Sequence, residues 1–301
     1  MSKNKTTIPR LFLHITALII VSIWGSTFVS TKVLLLDGLS AAQIFTLRFG
    51  IAYVLLLIYS LTRKNFHLFA SSLIDELLML GLGITGGSLY FLTENTALNY
   101  TTTTNTSLIV CLCPLFAALL LSVFYKSERL NRTQAIGSLI AAVGVIIVVL
   151  NGRFVLHLSP KGDSLAFAAC MCWAVYSLLM KPANQRYNVV FITRKVFFYG
   201  LASMIPYFAK YPEIPSIAVL TKPEVIWNLV FLGAVASLIC FLVWNWLMKK
   251  LGVVTTTNYV YLNPVVTILF AWMILAEHIT VYFLLGTAII LAGMYLADRK
   301  R

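Results

Sequence analysis

Long apolar runs broken by short polar connections make up almost the whole 301-residue chain. Ten runs can be cut from it, with limits near 11–33, 41–61, 77–98, 103–125, 133–150, 163–181, 195–209, 225–248, 254–276 and 280–297, the seventh being the least distinct. A helix needs about 20 mostly apolar residues to cross a bilayer. A membrane β-barrel would instead show strands of alternating polarity, and GSLIAAVGVIIVVL, from Gly137 to Leu150, does not alternate. The pattern therefore predicts an all-α integral membrane protein of ten transmembrane helices.

The runs fall into two similar sets of five. CPLFAALLLSVFYKSERLNRTQAIGSLIAAVGVIIVV from Cys113 aligns with NPVVTILFAWMILAEHITVYFLLGTAIILAGMYLA from Asn263. Pro114 falls on Pro264, Glu128 on Glu277, Gly137 on Gly286 and Gly144 on Gly293. Upstream, Gly83, Phe91 and Asn95 match Gly233, Phe241 and Asn245, while Trp24 and Lys32 match Trp173 and Lys181. Five spans per half is an odd number, so the second half enters the membrane with the opposite sense. The expectation is two inverted five-helix repeats, residues 1–152 and 153–301, sharing a cavity near the midplane that faces each side in turn.

Composition agrees with this. Hydrophobic residues are 60% of the chain and charged residues 11%, against about 45–50% and 25% in soluble domains. The net charge of +13 could suggest a nucleic-acid partner, so the location of the basic residues decides its meaning. With the N-terminus inside, 17 of the 23 Lys and Arg residues fall in inside segments and four, Arg153, Lys161, Lys210 and Lys222, fall outside. The positive-inside rule accounts for that split, and no nucleic-acid partner is expected. The connection KSERLNR after span 4 is basic and inside, and its repeat AEHIT carries no Lys or Arg and lies outside.

Other signals mostly exclude. The N-terminal apolar run continues to about Val33 without a cleavage site, so it reads as the first span rather than a signal peptide. Cys111, Cys113, Cys170, Cys172 and Cys240 all lie in apolar runs and read as buried thiols, not as metal ligands or disulfides. Gly81 to Gly86 matches G-x-G-x-x-G but has no preceding strand, so a dinucleotide site is excluded. Gly83 and Gly87, Gly137 and Gly144, and Gly286 and Gly293 read instead as helix-packing positions. H-E-x-x-H, G-x-S-x-G and paired intramembrane aspartates are missing, which argues against an enzyme, and no cofactor is expected.

Polar groups at bilayer depth are the candidate functional residues. Glu94 is the one acidic residue well inside a predicted span, and it shares a stripe with Gly83, Gly87 and Tyr90 at spacings of 4, 3 and 4, so it should face protein or water rather than lipid. It is a candidate for receiving a coupling proton or for binding a cationic group. Lys32 and Arg48 lie at similar depth. Lys32 is a candidate partner of Glu94 or of substrate, and Arg48 is expected to snorkel to the interface. Trp24 with Lys32, and Trp173 with Lys181, would give each access route one tryptophan and one lysine. Asn105, Asn258 and Tyr261 bring polarity into spans 4 and 9, and interhelical hydrogen bonding explains most such groups. Trp244, Asn245 and Tyr261 are candidates for enclosing a small organic solute. Pro114 and Pro264 each remove a helical hydrogen bond, at Val110 and Val260, and should kink spans 4 and 9 as paired hinges.

WGSTF from Trp24, PLFAALLLSVFYKSERL from Pro114 and NPVVTILFAWMILAEHIT from Asn263 resemble the EamA-type branch of the drug/metabolite transporter superfamily. The resemblance covers nearly the whole chain. It implies ten helices in two inverted repeats, both termini cytoplasmic, and export or exchange of small metabolites such as amino acids across a bacterial cytoplasmic membrane. His278 stands in AEHIT where an arginine is more usual. The expected function is a secondary transporter working between the bilayer and a small solute, with the proton as a candidate coupling ion. A channel or passive facilitator, and an antiporter for phosphorylated solutes, are the alternatives.

Overall fold

The computed structural model describes residues 9–63, 66–101, 103–150, 159–266, 269–270 and 280–298, and these contain helices but no strand. Lys64, Arg153, Glu277 and His278 lie outside the described residues, as do the side chains of Asn105 and Glu128. Fifteen α-helices carry labels below: α1 (Arg10–Leu36), α2 (Ala41–Leu61), α3 (Leu73–Gly83), α4 (Leu89–Tyr100), α5 (Thr103–Val110), α6 (Cys113–Phe124), α7 (Arg132–Leu150) and α8 (Pro160–Arg186). They continue as α9 (Val189–Ala202), α10 (Ile205–Lys210), α11 (Ile217–Leu220), α12 (Pro223–Val230), α13 (Cys240–Leu251), α14 (Val253–Asn258) and α15 (Val281–Asp298).

Among the described residues, seven stretches are long and apolar enough to cross a membrane: Arg10–Leu36, Ala41–Leu61, Leu73–Tyr100, Thr106–Phe124, Pro160–Arg186, Val189–Lys210 and Pro223–Leu251. Arg132–Val148 and Val281–Ala297 are shorter apolar helices. Side-chain caps start several of these elements. Ser40 forms a capping box with Gln43, Ser72 accepts from Asp75 N–H, Ser159 from Gly162 N–H and Asn188 from Phe191 N–H.

The seventh predicted run, near 195–209, begins earlier than its hydropathy predicts, at Val189. Arg194 and Lys195, which read as loop charges, lie inside α9 and are buried because each has a partner. Lys195 pairs with Glu76, and Arg194 donates to the His67 carbonyl. Likewise α8 runs on past Lys181 to Arg186, whose guanidinium pairs with Asp75.

The helix-packing glycines behave as expected. A Cβ at Gly137 would lie 2.7 Å from Gly293 O, and one at Gly144 would lie 2.9 Å from Gly286 O, so α7 and α15 touch backbone to backbone. The lower-numbered glycine of one helix meets the higher-numbered glycine of the other, which means the two helices run antiparallel. Gly83 packs against Tyr199 and Gly200 of α9, and its repeat partner Gly233 packs against Ile51 and the Arg48 carbonyl of α2. Lipid tails are as apolar as leucine, so close approach at small residues, not apolar burial, drives this association.

Two features are invisible to hydropathy. Residues Ile84–Ser88 and Phe231–Ile239, equivalent in the two repeats, form π-helix that interrupts the long helices α3–α4 and α12–α13. Such wide turns leave backbone groups with irregular partners and recur at functional sites.

Candidate functional site

Both proline-containing stretches break instead of bending gently. Helix α5 stops at Val110, Cys111 and Leu112 form a turn, and α6 restarts with Pro114 in its first turn. In the second half α14 stops at Asn258, a 3₁₀ turn covers Tyr259–Leu262, and helix resumes over 263–266 around Pro264. A proline cannot donate to the carbonyl four residues back. Val260 O, which has no donor in Pro264, accepts from Asn263 N–H in the 3₁₀ turn and also from the Cys111 thiol at 3.3 Å. The breaks of the two halves therefore touch.

Val110 and Val260 line a cavity of about 40 Å³, together with Trp24, Arg48, Glu94 and Trp173. Tyr90, Phe91, Phe241 and Cys113 complete much of its wall. The repeat partners Trp24 and Trp173 meet edge to face, with ring centroids 5.5 Å apart. Trp244 backs Trp24 at 4.8 Å, and Tyr90 packs against Trp173 with the rings tilted and centroids 5.2 Å apart. Two opposite charges enter this aromatic enclosure. Glu94 is buried and accepts from Tyr90 OH at 2.7 Å. Arg48, 2% exposed, lies over the Phe91 ring at 4.3 Å and donates through Nε to Ser237 Oγ at 3.0 Å. Among the described residues those are the only hydrogen bonds on either charged group.

Several sequence expectations need correction. Arg48 does not snorkel, because its guanidinium finds a ring and a hydroxyl inside the protein. Lys32 does not pair with Glu94 and donates to Leu98 O at 2.7 Å. Lys181 lies over the Tyr125 ring and donates to Ser127 Oγ at 2.9 Å. The tryptophans are not divided between two routes, since Trp24 and Trp173 share one cluster and neither lysine lines the cavity. Asn245 is tied up by Tyr176 OH at 2.7 Å and by Thr193 Oγ1 at 3.0 Å, so it bridges helices rather than facing solute. Asn258 and Tyr261 are buried beside the cavity-lining Val260, and neither lines the cavity itself. Trp24, Tyr90, Glu94 and Trp173 are brought together. Arg48, Phe91 and Phe241 also line the cavity and were not among the sequence candidates.

The indoles of the central pair differ in one respect. Trp24 Nε1 donates to Ala236 O, inside the second π-segment, at 3.0 Å. Trp173 Nε1 is buried and has no hydrogen-bond partner among the described residues.

The profile of the EamA-like transporter family matches residues 11–150 and again 160–297. The chain belongs to the EamA-like transporter family. It is thus a multi-pass membrane transporter and not an enzyme. An uncharacterized transporter of Archaeoglobus fulgidus is 28% identical, with 96% of this chain and 98% of that one covered. A protein of Escherichia coli named "Probable amino-acid metabolite efflux pump" is 25% identical over 94% and 93% of the two chains. Another, of Streptantibioticus cattleyicolor, named "Probable terminal-alkyne amino-acid exporter", is 26% identical over 92% and 90%. A solved crystal structure superposes on this EamA-like chain with a TM-score of 0.72 at 20% identity, covering 95% of each, and so shares its fold.

Proposed function

We propose that the protein is a secondary exporter of a zwitterionic, amino-acid-like metabolite across the bacterial cytoplasmic membrane, working by alternating access of two inverted five-helix repeats. The observation that carries this is the pairing of Glu94 and Arg48 in one aromatic-walled cavity, each held by a single hydrogen bond. A solute ammonium fits Glu94 and a solute carboxylate fits Arg48, whose fork-shaped guanidinium suits planar anions. Trp24, Trp173 and Phe241 would take the side chain. The names of the Escherichia coli and Streptantibioticus relatives favour the same class of solute.

The antiparallel register of α7 against α15 supports inversion of the halves, as does the exchange by which Gly83 meets α9 while Gly233 meets α2. Ten spans with both termini cytoplasmic agree with the 17 to 4 division of basic residues. Solute sites commonly measure about 300–1,000 Å³, so a cavity of about 40 Å³ corresponds to a contracted site with room for a few waters. Expansion on one side, made possible by the broken stretches at Pro114 and Pro264, would admit the solute. With no ATP-binding motif in the sequence, an ion or solute gradient drives transport, and Glu94 is the group able to carry a proton.

Counterflow in proteoliposomes tests the proposal. An aromatic amino acid should compete for transport, whereas its decarboxylated amine and its deaminated acid should each lose at least tenfold in apparent affinity. Equal competition by the amine would remove Arg48 from the site, and equal competition by the acid would remove Glu94. A linear, non-saturating flux would replace the carrier with a passive pore.

A further inference from the structure

Two hollows lie at the end of α2, apart from the central cavity. The first, of about 630 Å³, is lined by Arg63, His67 and Arg194 together with Ser60, Thr62 and Asn188, and no carboxylate lines it. The second, of about 650 Å³, is a groove lined by apolar side chains such as Phe12, Leu55, Leu242 and Trp246. Tyr59, Val189 and Val190 border both, so the two are continuous. Their order along α2 is informative. Leu55 and Leu56 belong to the groove, Tyr59 to both, and Ser60, Thr62 and Arg63 to the polar hollow. The apolar part therefore lies at membrane depth, and the basic part lies where the helix leaves the membrane.

The charge in the polar hollow is uncompensated. Arg194 is 5% exposed, lies over the Phe66 ring at 4.4 Å and donates to the His67 carbonyl. Arg63 lies over the Tyr59 ring at 4.6 Å. Neither arginine has an acidic partner among the described residues, because the nearby carboxylates Asp75 and Glu76 are taken by Arg186 and Lys195. The groove wall is open to the bilayer, with Phe12 and Ile239 about half exposed. Two cations at a membrane face, joined to an apolar trough running inward, match a single amphipathic anion.

We propose that this composite hollow binds one anionic phospholipid, its phosphate held between Arg63 and Arg194 and an acyl chain lying in the groove between α1, α2 and α13. Basic pockets between membrane helices are known to take such headgroups. The proposal requires Arg63 to sit at a membrane face, and it holds whichever face that is. It is also independent of the solute that the central cavity carries.

Native mass spectrometry of the delipidated, full-length protein in detergent tests it, with palmitoyl-oleoyl phosphatidylglycerol, phosphatidylcholine of the same chains, and chain-free glycerophosphoglycerol as probes. Phosphatidylglycerol should be retained as a single adduct at concentrations at least tenfold below those phosphatidylcholine needs, and glycerophosphoglycerol should not be retained. Arg63→Gln should weaken phosphatidylglycerol about fivefold, the equivalent of about 1 kcal/mol for one basic residue at an anionic surface. Leu242→Trp, which fills the groove, should weaken both lipids. Arg194→Gln should act like Arg63→Gln; if it does not fold, because the guanidinium also holds the His67 carbonyl, the exposed Arg63 decides. Equal retention of the two lipids, retention of glycerophosphoglycerol as strong as that of the lipid, or wild-type binding by Arg63→Gln would each overturn the proposal.

Discussion

Replacing Trp24 or Trp173 by phenylalanine should push the transporter in opposite directions. In this conformation Trp24 Nε1 donates to Ala236 O at 3.0 Å, whereas Trp173 Nε1 is buried without a partner among the described residues. The repeat equivalent of Ala236 is Gly86, over which the Tyr176 ring packs, since a Cβ there would lie 2.2 Å from Cδ2. If the halves exchange conformations during transport, Trp173 gains the Gly86 carbonyl in the other state and Trp24 loses its own. A neutral hydrogen bond contributes about 0.5–1.5 kcal/mol net, and a buried unpaired donor costs about 1–3. Trp24→Phe removes the bond from this state and relieves the unpaired donor in the other, so the equilibrium should move by about 1.5–4.5 kcal/mol, roughly tenfold or more, away from this state. Trp173→Phe should move it by a similar factor towards this state, and the double variant should lie near the wild type. Electron–electron distance measurements between spin labels at Leu36 and Ile217, both exposed and one in each half, would read the two populations. Displacement of both single variants in the same direction, or a double variant further from the wild type than either, would refute the exchange.

Four other outcomes are expected. Glu94→Gln should weaken a zwitterionic solute by about 1.5–3 kcal/mol, the range for hydrogen bonds to charged groups; unchanged counterflow and unchanged uptake driven by a pH gradient would together remove Glu94 from the mechanism. Pro264→Ala restores an N–H able to compete for Val260 O with Asn263 N–H and the Cys111 thiol, so turnover should fall several-fold with binding intact, and normal turnover would make the break passive architecture. Glu76→Ala strands the Lys195 ammonium, 5% exposed, at a cost of about 3–5 kcal/mol; unfolding should occur at lower temperature and recover in Glu76→Gln/Lys195→Met, and an unchanged single variant would show that the pair adds nothing. With native thiols removed, cysteines at Arg132 and Lys222 should label only from inside and only from outside intact cells, respectively, and external labelling at 132 would contradict the inverted arrangement.

Hydropathy located the long helices because crossing a bilayer demands apolar length, a property that adds up along the chain. It misplaced the start of the seventh predicted run because it treats a charge as exposed. Lys195 and Arg194 enter α9 because Glu76 and the His67 carbonyl come from α3 and the loop before it, and no local window contains those partners. The repeat alignment did better, since Gly137, Gly144, Gly286 and Gly293 were legible as packing positions, though not the swapped pairs in which they meet. The prolines likewise marked both helix breaks. The π-segments left no such mark, because their sequences, ITGGS and FLGAVASLI, share no residue pattern beyond small side chains.

At the site, the limit was again one of partners and not of residue types. Glu94 could be singled out because a carboxylate in mid-span has few innocuous explanations. Arg48 could not, because a long cationic side chain near a helix end normally reaches the interface. What retains it is an enclosure drawn from two other elements: the Phe91 ring and Glu94 from α4, the latter lining the same cavity, and Ser237 from the second π-segment. Each of these contacts crosses between elements far apart in sequence. Position relative to the helix start offered the one usable hint, since Arg48 lies two turns inside α2, where a guanidinium that reached water would have to cover about 10 Å at 1.5 Å per residue. A cation that deep either pairs or serves a ligand. Here it lies over one ring, bonds one hydroxyl and lines the cavity. That arrangement makes it a better counterpart to Glu94 than Lys32, whose ammonium already has the Leu98 carbonyl.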